Sequence, residues 1–166
     1  STMALQFGRL LGARVAVTSS SDEKLARMKE LGADIVVNYA KDAEWNKAIL
    51  KATDGVGVDV VIETGGPETI ARSIDCCALN GRIACLSSLS EKPTPPFNFT
   101  GILAKNLVVK GVTSGSRRML EQAIGALAAN GVRPVIDRTF PFSQAPDAYT
   151  FMKSGSHIGK VVIRHA

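Results

Sequence analysis

Residues 12–24 read GARVAVTSSSDEK, and the order of residue types in this stretch decides the fold. Arg14 to Thr18 form a short apolar run rich in β-branched residues, which is typical of a strand buried on both faces in a parallel sheet. Ser20 and Glu23 have the S-x-x-E spacing of a capping box, so a helix is predicted to begin directly after the strand. Hydroxyl groups and free helix N–H groups therefore meet at the carboxyl end of a strand, the edge where open α/β sheets bind ligands.

Strand and helix patterns alternate along the rest of the chain. Apolar runs predict further strands at residues 34–38, 58–63, 82–86, 107–113, 135–140 and 160–164. Helical periodicity fills most of the intervals, as where Trp45, Ile49 and Ala52 fall on one face. Because the connections are mostly short, the predicted fold class is α/β with a doubly wound parallel sheet.

The composition is that of an ordinary globular domain, and it excludes several classes of function. The 166 residues are 45% hydrophobic and carry a net charge of +5. Basic residues form no run and do not alternate with aromatic ones, so no nucleic-acid partner is expected. No apolar stretch approaches the roughly 18 residues of a membrane span, so no membrane partner is expected either. The three cysteines, Cys76, Cys77 and Cys85, lack the spacing of a disulfide framework, which favours reduced thiols and a cytoplasmic location.

A series of short motifs runs the length of the chain. They are LQF at 5–7, LGARV at 11–15, SDEKL at 21–25, LGAD at 31–34, NY at 38–39, GVDVVIE at 57–63, NGRI at 80–83, KG at 110–111, GSR at 115–117, RPVIDR at 133–138 and GSHIGKVV at 155–162. In this order they resemble the nucleotide-binding half of the medium-chain dehydrogenase/reductase superfamily, the zinc-type alcohol dehydrogenases and their quinone oxidoreductase relatives. The resemblance implies a Rossmann-type domain that binds a nicotinamide dinucleotide.

The same resemblance implies parts that this chain does not contain. In the family, a first strand, a glycine-rich turn (G-x-G-x-x-G or a close variant) and a GroES-like catalytic domain precede the helix that begins here at Ser1. Residues 1–139 are therefore expected to form a dinucleotide-binding domain that is incomplete at its N-terminus, and residues 140–166 to return to the GroES-like domain. Whether the parent enzyme holds zinc depends on residues of that other domain.

The resemblance also implies how strand edges are used. Residues 15–18 and 58–62 would flank the slot of the missing first strand, and upstream residues or another chain would fill it. The family dimerises by pairing the edge strand that corresponds here to Val108–Val112, which implies a homodimer.

Ser19 stands where an NAD-preferring site normally has Asp or Glu to bind the adenosine ribose. A carboxylate would repel a 2′-phosphate, whereas the hydroxyls of Ser19 and Ser20 can donate to it, and Lys24 follows one helical turn later. In the quinone oxidoreductase branch, a Lys and a Tyr with the fifteen-residue separation of Lys24 and Tyr39 bind this phosphate. This corner is expected to lack an acidic side chain, so NADP(H) is favoured over NAD(H). The alternative is that Ser20 and Ser21 only cap a helix, Lys24 is solvated and Tyr39 packs against a loop.

By the same resemblance, three strand ends and the closing segment line the nicotinamide half of the site. The residues are Thr64, Gly65, Gly66, Leu86, Ser87, Ser88, Ser114 and Lys160. Gly65 and Gly66 would let the backbone approach the ligand closely, and Lys160 would face the phosphates. The alternatives are a plain turn at the two glycines and a solvated strand residue at Lys160.

No catalytic residue and no metal site is predicted within this chain. Cys76 and Cys77 are predicted as neighbours on a helix, where they point about 100° apart. That placement suits core packing better than ligation of one metal ion. His157 and His165 have no Cys or carboxylate partner at ligand spacing.

Two functions remain open from the sequence. The first is the cofactor domain of an NADP(H)-dependent oxidoreductase of the alcohol dehydrogenase or quinone/enone reductase type. Such an enzyme moves a hydride between nicotinamide and a small-molecule carbonyl, alcohol or enone, and this chain alone is expected to be inactive. The second is a non-catalytic, truncated nucleotide-binding module with weak or lost cofactor affinity.

Overall fold

The computed structural model describes residues 2–86 and 99–165, and the chain divides into two compact units. The sheet unit consists of Ala16–Leu25 and Ile35–Ser116. The terminal unit consists of Ser1–Val15, Ala26–Asp34 and Arg117–Ala166. The domain boundary expected after residue 139 remains a prediction.

Strands and helices alternate in the described residues, as the sequence patterns indicate. The strands are β1 (Ala16–Ser19), β2 (Ile35–Asn38), β3 (Val58–Glu63), β4 (Cys77–Cys85), β5 (Val108–Gly111), β6 (Ile136–Pro141) and β7 (Lys160–Arg164). The helices are α1 (Thr2–Leu10), α2 (Asp22–Glu30), α3 (Trp45–Ala52), α4 (Ile70–Cys76), α5 (Phe99–Ala104), α6 (Arg117–Ala129) and α7 (Ala145–Lys153). Each of these strands pairs in parallel with a neighbour, which confirms the α/β class.

The parallel strands form separate ladders in the described residues, ordered β1-β2, β3-β4-β5 and β6-β7. The first two ladders belong to the sheet unit, and among the described strands β1 and β3 each have a ladder partner on one side only. The prediction that the first strand is buried on both faces is wrong, because the Thr18 side chain is exposed and the other residues of β1 are only partly buried. What fills the expected slot between β1 and β3 remains a prediction.

The core of the sheet unit includes two apolar clusters that meet at the junction of α4 and β4. In one, Cys76 packs with Trp45 and Ile49 of α3, whose i, i+4 spacing places both on the buried face. In the other, Cys77 packs with Ile83 of β4 and with neighbouring apolar residues. Both cysteines fill core space, as predicted. Cys77 is nevertheless the first residue of β4 rather than part of a helix, because its backbone is extended, with φ −67° and ψ 144°.

The terminal unit is built from helices and the β6-β7 ladder. The Arg138 guanidinium lies 4.4 Å from the centroid of the Phe151 ring, a cation–π contact between β6 and α7. Asp34 accepts a hydrogen bond from the Val15 N–H over 2.7 Å, and that bond lowers the pKa of the Asp34 carboxyl. None of the helices that the structure describes is long and apolar enough to cross a membrane.

Candidate functional site

The carboxyl ends of β1 and β2 bring Ser19 and Tyr39 next to each other. Ser19 lies opposite Asn38 in the parallel ladder. The Tyr39 backbone N–H donates to the Ser19 carbonyl oxygen over 3.1 Å. Tyr39 is 41% exposed, more than an aromatic residue packed into a core. The two predicted residues therefore share one strand-end corner, although they are 20 positions apart in sequence.

The helix after β1 is capped by Ser21 rather than by Ser20. The Lys24 N–H donates to Ser21 Oγ over 3.3 Å, and the Ser21 N–H donates to Ser19 Oγ over 3.3 Å. The predicted capping box that begins at Ser20 is wrong by one residue, because the N-cap hydroxyl must reach the N–H three positions later, and α2 begins at Asp22. Ser20 is left exposed at the strand end, and Lys24 takes a half-buried place in the first turn of α2.

An acidic side chain does lie at this corner, contrary to the prediction. The Asp22 carboxylate forms an ion pair with Lys41 Nζ and accepts a hydrogen bond from Asn38 Nδ2 over 2.6 Å. The hydrogen bond from Lys41, followed by that from Asn38, lowers the pKa of Asp22 below its usual 3.8. Asp22 stands at the first position of α2, where the helix dipole favours a carboxylate. Lys41, which sequence reasoning missed, arrives through a turn in which its N–H donates to the Asn38 carbonyl over 3.2 Å.

The end of β3 closes around a buried carboxylate that sequence reasoning also missed. Glu63 is 4% exposed. Its Oε1 accepts hydrogen bonds from the N–H groups of Gly65 and Gly66 over 2.7 and 3.1 Å, and from the Thr69 hydroxyl over 2.6 Å. Its Oε2 accepts one from the Ser73 hydroxyl over 2.5 Å. Both glycine N–H groups of the predicted site thus point to a side chain of the same chain.

Gly65 and Gly66 are needed here for different reasons. Gly66 has φ +75°, in the left-handed region that favours glycine. A Cβ on Gly65 would lie 2.3 Å from Thr69 Oγ1. The lack of a side chain at Gly65 therefore lets the backbone lie close to the Thr69 side chain. The sequence signal for this arrangement is an acidic residue at the end of an apolar strand, followed by hydroxyl residues in the next helical segment.

The remaining predicted residues fall at several places. Leu86 lies beside the carboxyl end of β3, because its N–H donates to the Glu63 carbonyl oxygen over 2.9 Å. Ser114 follows β5 and is exposed. Ser87 and Ser88 lie outside the described residues. Lys160 is exposed at the start of β7, in the terminal unit, and its role remains a prediction.

The surroundings of the three cysteines disfavour their thiolate forms. Burial raises the pKa of Cys76 to about 12 and that of Cys77 to about 11. Burial, followed by the charge of Glu63, also raises the pKa of Cys85. Because the thiolate is the form that attacks or binds metals, these thiols are poor nucleophiles and ligands at neutral pH. Residues 2–86 and 99–165 contain no group of three His, Cys, Asp or Glu side chains placed to hold a metal ion.

A family model and a similar protein both identify the chain as similar to zinc-type dehydrogenases. The family model for zinc-binding dehydrogenases matches residues 1–129. A zinc-type alcohol dehydrogenase-like protein of Schizosaccharomyces pombe is 42% identical over 168 residues, which cover 99% of this chain and 48% of that protein.

Solved structures show the same similarity. The structure of an NAD-dependent alcohol dehydrogenase superposes with a TM-score of 0.87 and 31% identity, covering 100% of this chain and 48% of the other. A mycobacterial quinone oxidoreductase superposes with a TM-score of 0.80 and 25% identity, covering 99% of this chain and 53% of the other. The chain spans about half the length of these three proteins.

Proposed function

The chain belongs to the zinc-binding dehydrogenase family, and from that premise we propose that it binds the cofactor of an NADP(H)-dependent oxidoreductase. The whole protein would be of the alcohol dehydrogenase or quinone/enone reductase type, with a carbonyl, alcohol or enone as substrate. When bound, the dinucleotide supplies hydride chemistry, and the residues of this chain bind and orient it. The unpaired thiols of its three cysteines favour the cytoplasm as its location.

One observation carries the choice of NADP(H). The side chain at the carboxyl end of β1 is the hydroxyl of Ser19, with Tyr39 beside it, where a carboxylate would select the free ribose. Lys24 in the first turn of α2 adds a positive charge that favours a phosphate at this helix end. Asp22 does not reverse this preference, because its charge is paired with Lys41. One similar structure is that of an NAD-dependent alcohol dehydrogenase, and the preference for the 2′-phosphate rests on Ser19, Tyr39 and Lys24 of this chain.

Zinc is implied by the name of the family, but the described part of this chain does not fit a zinc site. Cys76 and Cys77 are buried in the core, and their raised pKa values disfavour the thiolate that zinc needs. We therefore assign no step of the reaction to a metal held by these residues.

The choice of cofactor is tested by titrating the protein with NADPH and NADH and following binding by fluorescence. Lys24→Gln should weaken NADPH binding by about tenfold, the loss expected for one charge-assisted hydrogen bond, and leave NADH binding unchanged. Lys29→Gln, at an exposed lysine further along α2, is the matched control and should change neither. Tighter binding of NADH than of NADPH would refute the preference. Absence of saturable binding to both would favour the non-catalytic alternative.

The homodimer expected from the family resemblance is also a proposal, supported by the edge position of β5. Among the described strands, β5 is the outer strand of the β3-β4-β5 ladder, and its Val108 and Val109 are 56% and 38% exposed. An apolar, unpaired edge favours pairing with another strand. Light scattering should give a dimer that Val109→Lys converts to monomer, whereas Val56→Lys, at an exposed loop valine, should leave it intact. A monomeric wild-type protein would contradict the proposal.

A further inference from the structure

An exposed ion pair lies beside the corner that the carboxyl ends of β1 and β2 form. Lys41 Nζ pairs with the Asp22 carboxylate, and the two side chains are 71% and 60% exposed. Asp22 is the first residue of α2, and Lys41 lies in the turn that follows β2. Both charges are therefore accessible to a ligand that binds at this corner.

Asn38 fixes the position of the ion pair relative to Ser19. It is the last residue of β2 and lies opposite Ser19, the last residue of β1. Its Oδ1 accepts a hydrogen bond from the Ala40 N–H over 3.0 Å, and its Nδ2 donates to Asp22 Oδ1 over 2.6 Å. One side chain thus links the turn that carries Lys41 to the first residue of α2. The pair is held beside the strand end at which the adenosine ribose is proposed to bind.

The two charges of the pair act on a 2′-phosphate in opposite directions. An ammonium has three N–H donors, so Lys41 can donate to a phosphate oxygen while it still donates to Asp22. A phosphate dianion is attracted by the ammonium and repelled by the carboxylate. A ribose without this phosphate carries no charge on which either group can act. The pair therefore affects binding of the phosphorylated cofactor more than binding of the unphosphorylated one.

From this geometry we propose that Lys41 is a further binding residue for the 2′-phosphate and that Asp22 limits the affinity for it, so that the pair sets how strongly NADPH is preferred over NADH. The inference rests on the proposed function, because it requires that the adenosine ribose binds at this corner. Lys41 adds its charge to that of Lys24, and the Asp22 carboxylate offsets part of the sum.

The test measures binding of NADPH and NADH by calorimetry in the full-length protein that carries this chain. Lys41→Gln removes the ammonium. Asp22→Asn removes the carboxylate charge but keeps an oxygen that can accept from Asn38. Matched controls remove the same charges from exposed ion pairs elsewhere in the chain, with Lys47→Gln and Glu30→Gln.

The two substitutions should change NADPH binding in opposite directions. Lys41→Gln should weaken it by about fivefold and Asp22→Asn should strengthen it by about fivefold, the effect of one unit charge on a phosphate dianion across an exposed surface. NADH binding should change by less than about twofold in both variants, and the controls should change neither affinity. Both substitutions break the ion pair, so a merely structural role would move the affinity in the same direction in the two variants.

Shifts of the same sign, or an unchanged NADPH affinity in either variant, would overturn the proposal. Lys41→Arg, which keeps the charge, should bind NADPH as the wild-type protein does, and a loss equal to that of Lys41→Gln would also count against it. These outcomes concern the pair alone. If the wild-type protein binds neither cofactor, or binds NADH more tightly, the proposed function fails and the inference fails with it.

A second measurement compares adenosine 2′,5′-bisphosphate with adenosine 5′-monophosphate, two probes that differ by the 2′-phosphate. The opposite shifts of Lys41→Gln and Asp22→Asn should appear with the first probe and be absent with the second. Shifts of equal size with both probes would show that the pair acts on the 5′-phosphate, which would refute its assignment to the 2′-phosphate.

Discussion

Lys105 joins the end of α4 to the start of β4, and we expect Lys105→Met to destabilise the sheet unit strongly. Its Nζ donates to the carbonyl oxygens of Ile74, Asp75 and Cys77 over 3.1, 2.5 and 3.0 Å. Carbonyls in the last turn of a helix have no partner within the helix. One half-buried ammonium thus donates to three backbone acceptors at the junction where the two core clusters meet. The Ile74 carbonyl also accepts a hydrogen bond from the Cys77 N–H.

The size of the effect follows from these contacts. A hydrogen bond to a charged group contributes about 1.5–3 kcal/mol. Ordering a lysine side chain costs up to about 2 kcal/mol. Three bonds at the lower figure, reduced by that cost, leave a net stabilisation of about 2.5 kcal/mol. Methionine keeps the apolar stem, so the variant loses the donors and little packing. With a denaturant dependence of about 2 kcal/mol per molar urea, the unfolding midpoint should fall by about 1.2 M.

The assay is urea unfolding followed by the fluorescence of Trp45, the single tryptophan of the chain. Trp45 packs with Cys76, the last residue of α4, so its emission reports on this junction. Lys110→Met, at an exposed lysine of β5, is the control and should leave the midpoint nearly unchanged. Equal midpoints for the two variants would refute the role assigned to the Lys105 ammonium.

Two further predictions concern backbone strain and acid titration. Gly159→Ala should destabilise the terminal unit by about 2 kcal/mol or more, because φ is +97° and the new Cβ would lie 2.3 Å from the Val135 carbonyl oxygen. Gly125→Ala, within α6 and with nothing within 4 Å of the new Cβ, should raise stability by about 0.5–1 kcal/mol. A thermal unfolding midpoint that is lower for Gly125→Ala than for Gly159→Ala would contradict both expectations. The Asp22 carboxyl should titrate below 3.8 because Lys41 stabilises its ionised form, so the stability gained from the pair is complete above the unfolded-state pKa and is lost as pH falls through the lowered pKa. An NMR titration checks this, and Lys41→Gln should return the pKa toward 3.8; an unshifted value in the wild-type protein would count against the ion pair.

Local patterns in the sequence determined where most of the strands and helices lie, although β4 begins at Cys77 and not at residue 82. β3 and β7 cover the ranges predicted from their apolar runs, and α3 covers the predicted helical face. These features depend on residues within one or two turns of each other, so composition and periodicity suffice to find them. The parallel arrangement of the strands followed from the alternation of strand and helix patterns along the chain.

The corner at Ser19 was predicted in part. Parallel pairing must bring the ends of β1 and β2 together, so the neighbourhood of Ser19 and Tyr39 could be anticipated from two strand ends. The ion pair of Asp22 with Lys41 could not, because it depends on how the turn after β2 folds back toward α2. The capping serine was misplaced by one residue because three consecutive serines offer the same local signal.

Only the tertiary structure decided which polar groups are buried and what they bind. A glutamate at the end of an apolar strand has the same sequence signature whether it faces solvent or the interior, and Glu63 is inside because the turn and the helical segment after it converge on its carboxylate. Lys105 meets its carbonyl partners across 28 to 31 residues. Contacts of this kind form when helices pack onto strands, and their geometry is set by that packing and not by the spacing of residues along the chain.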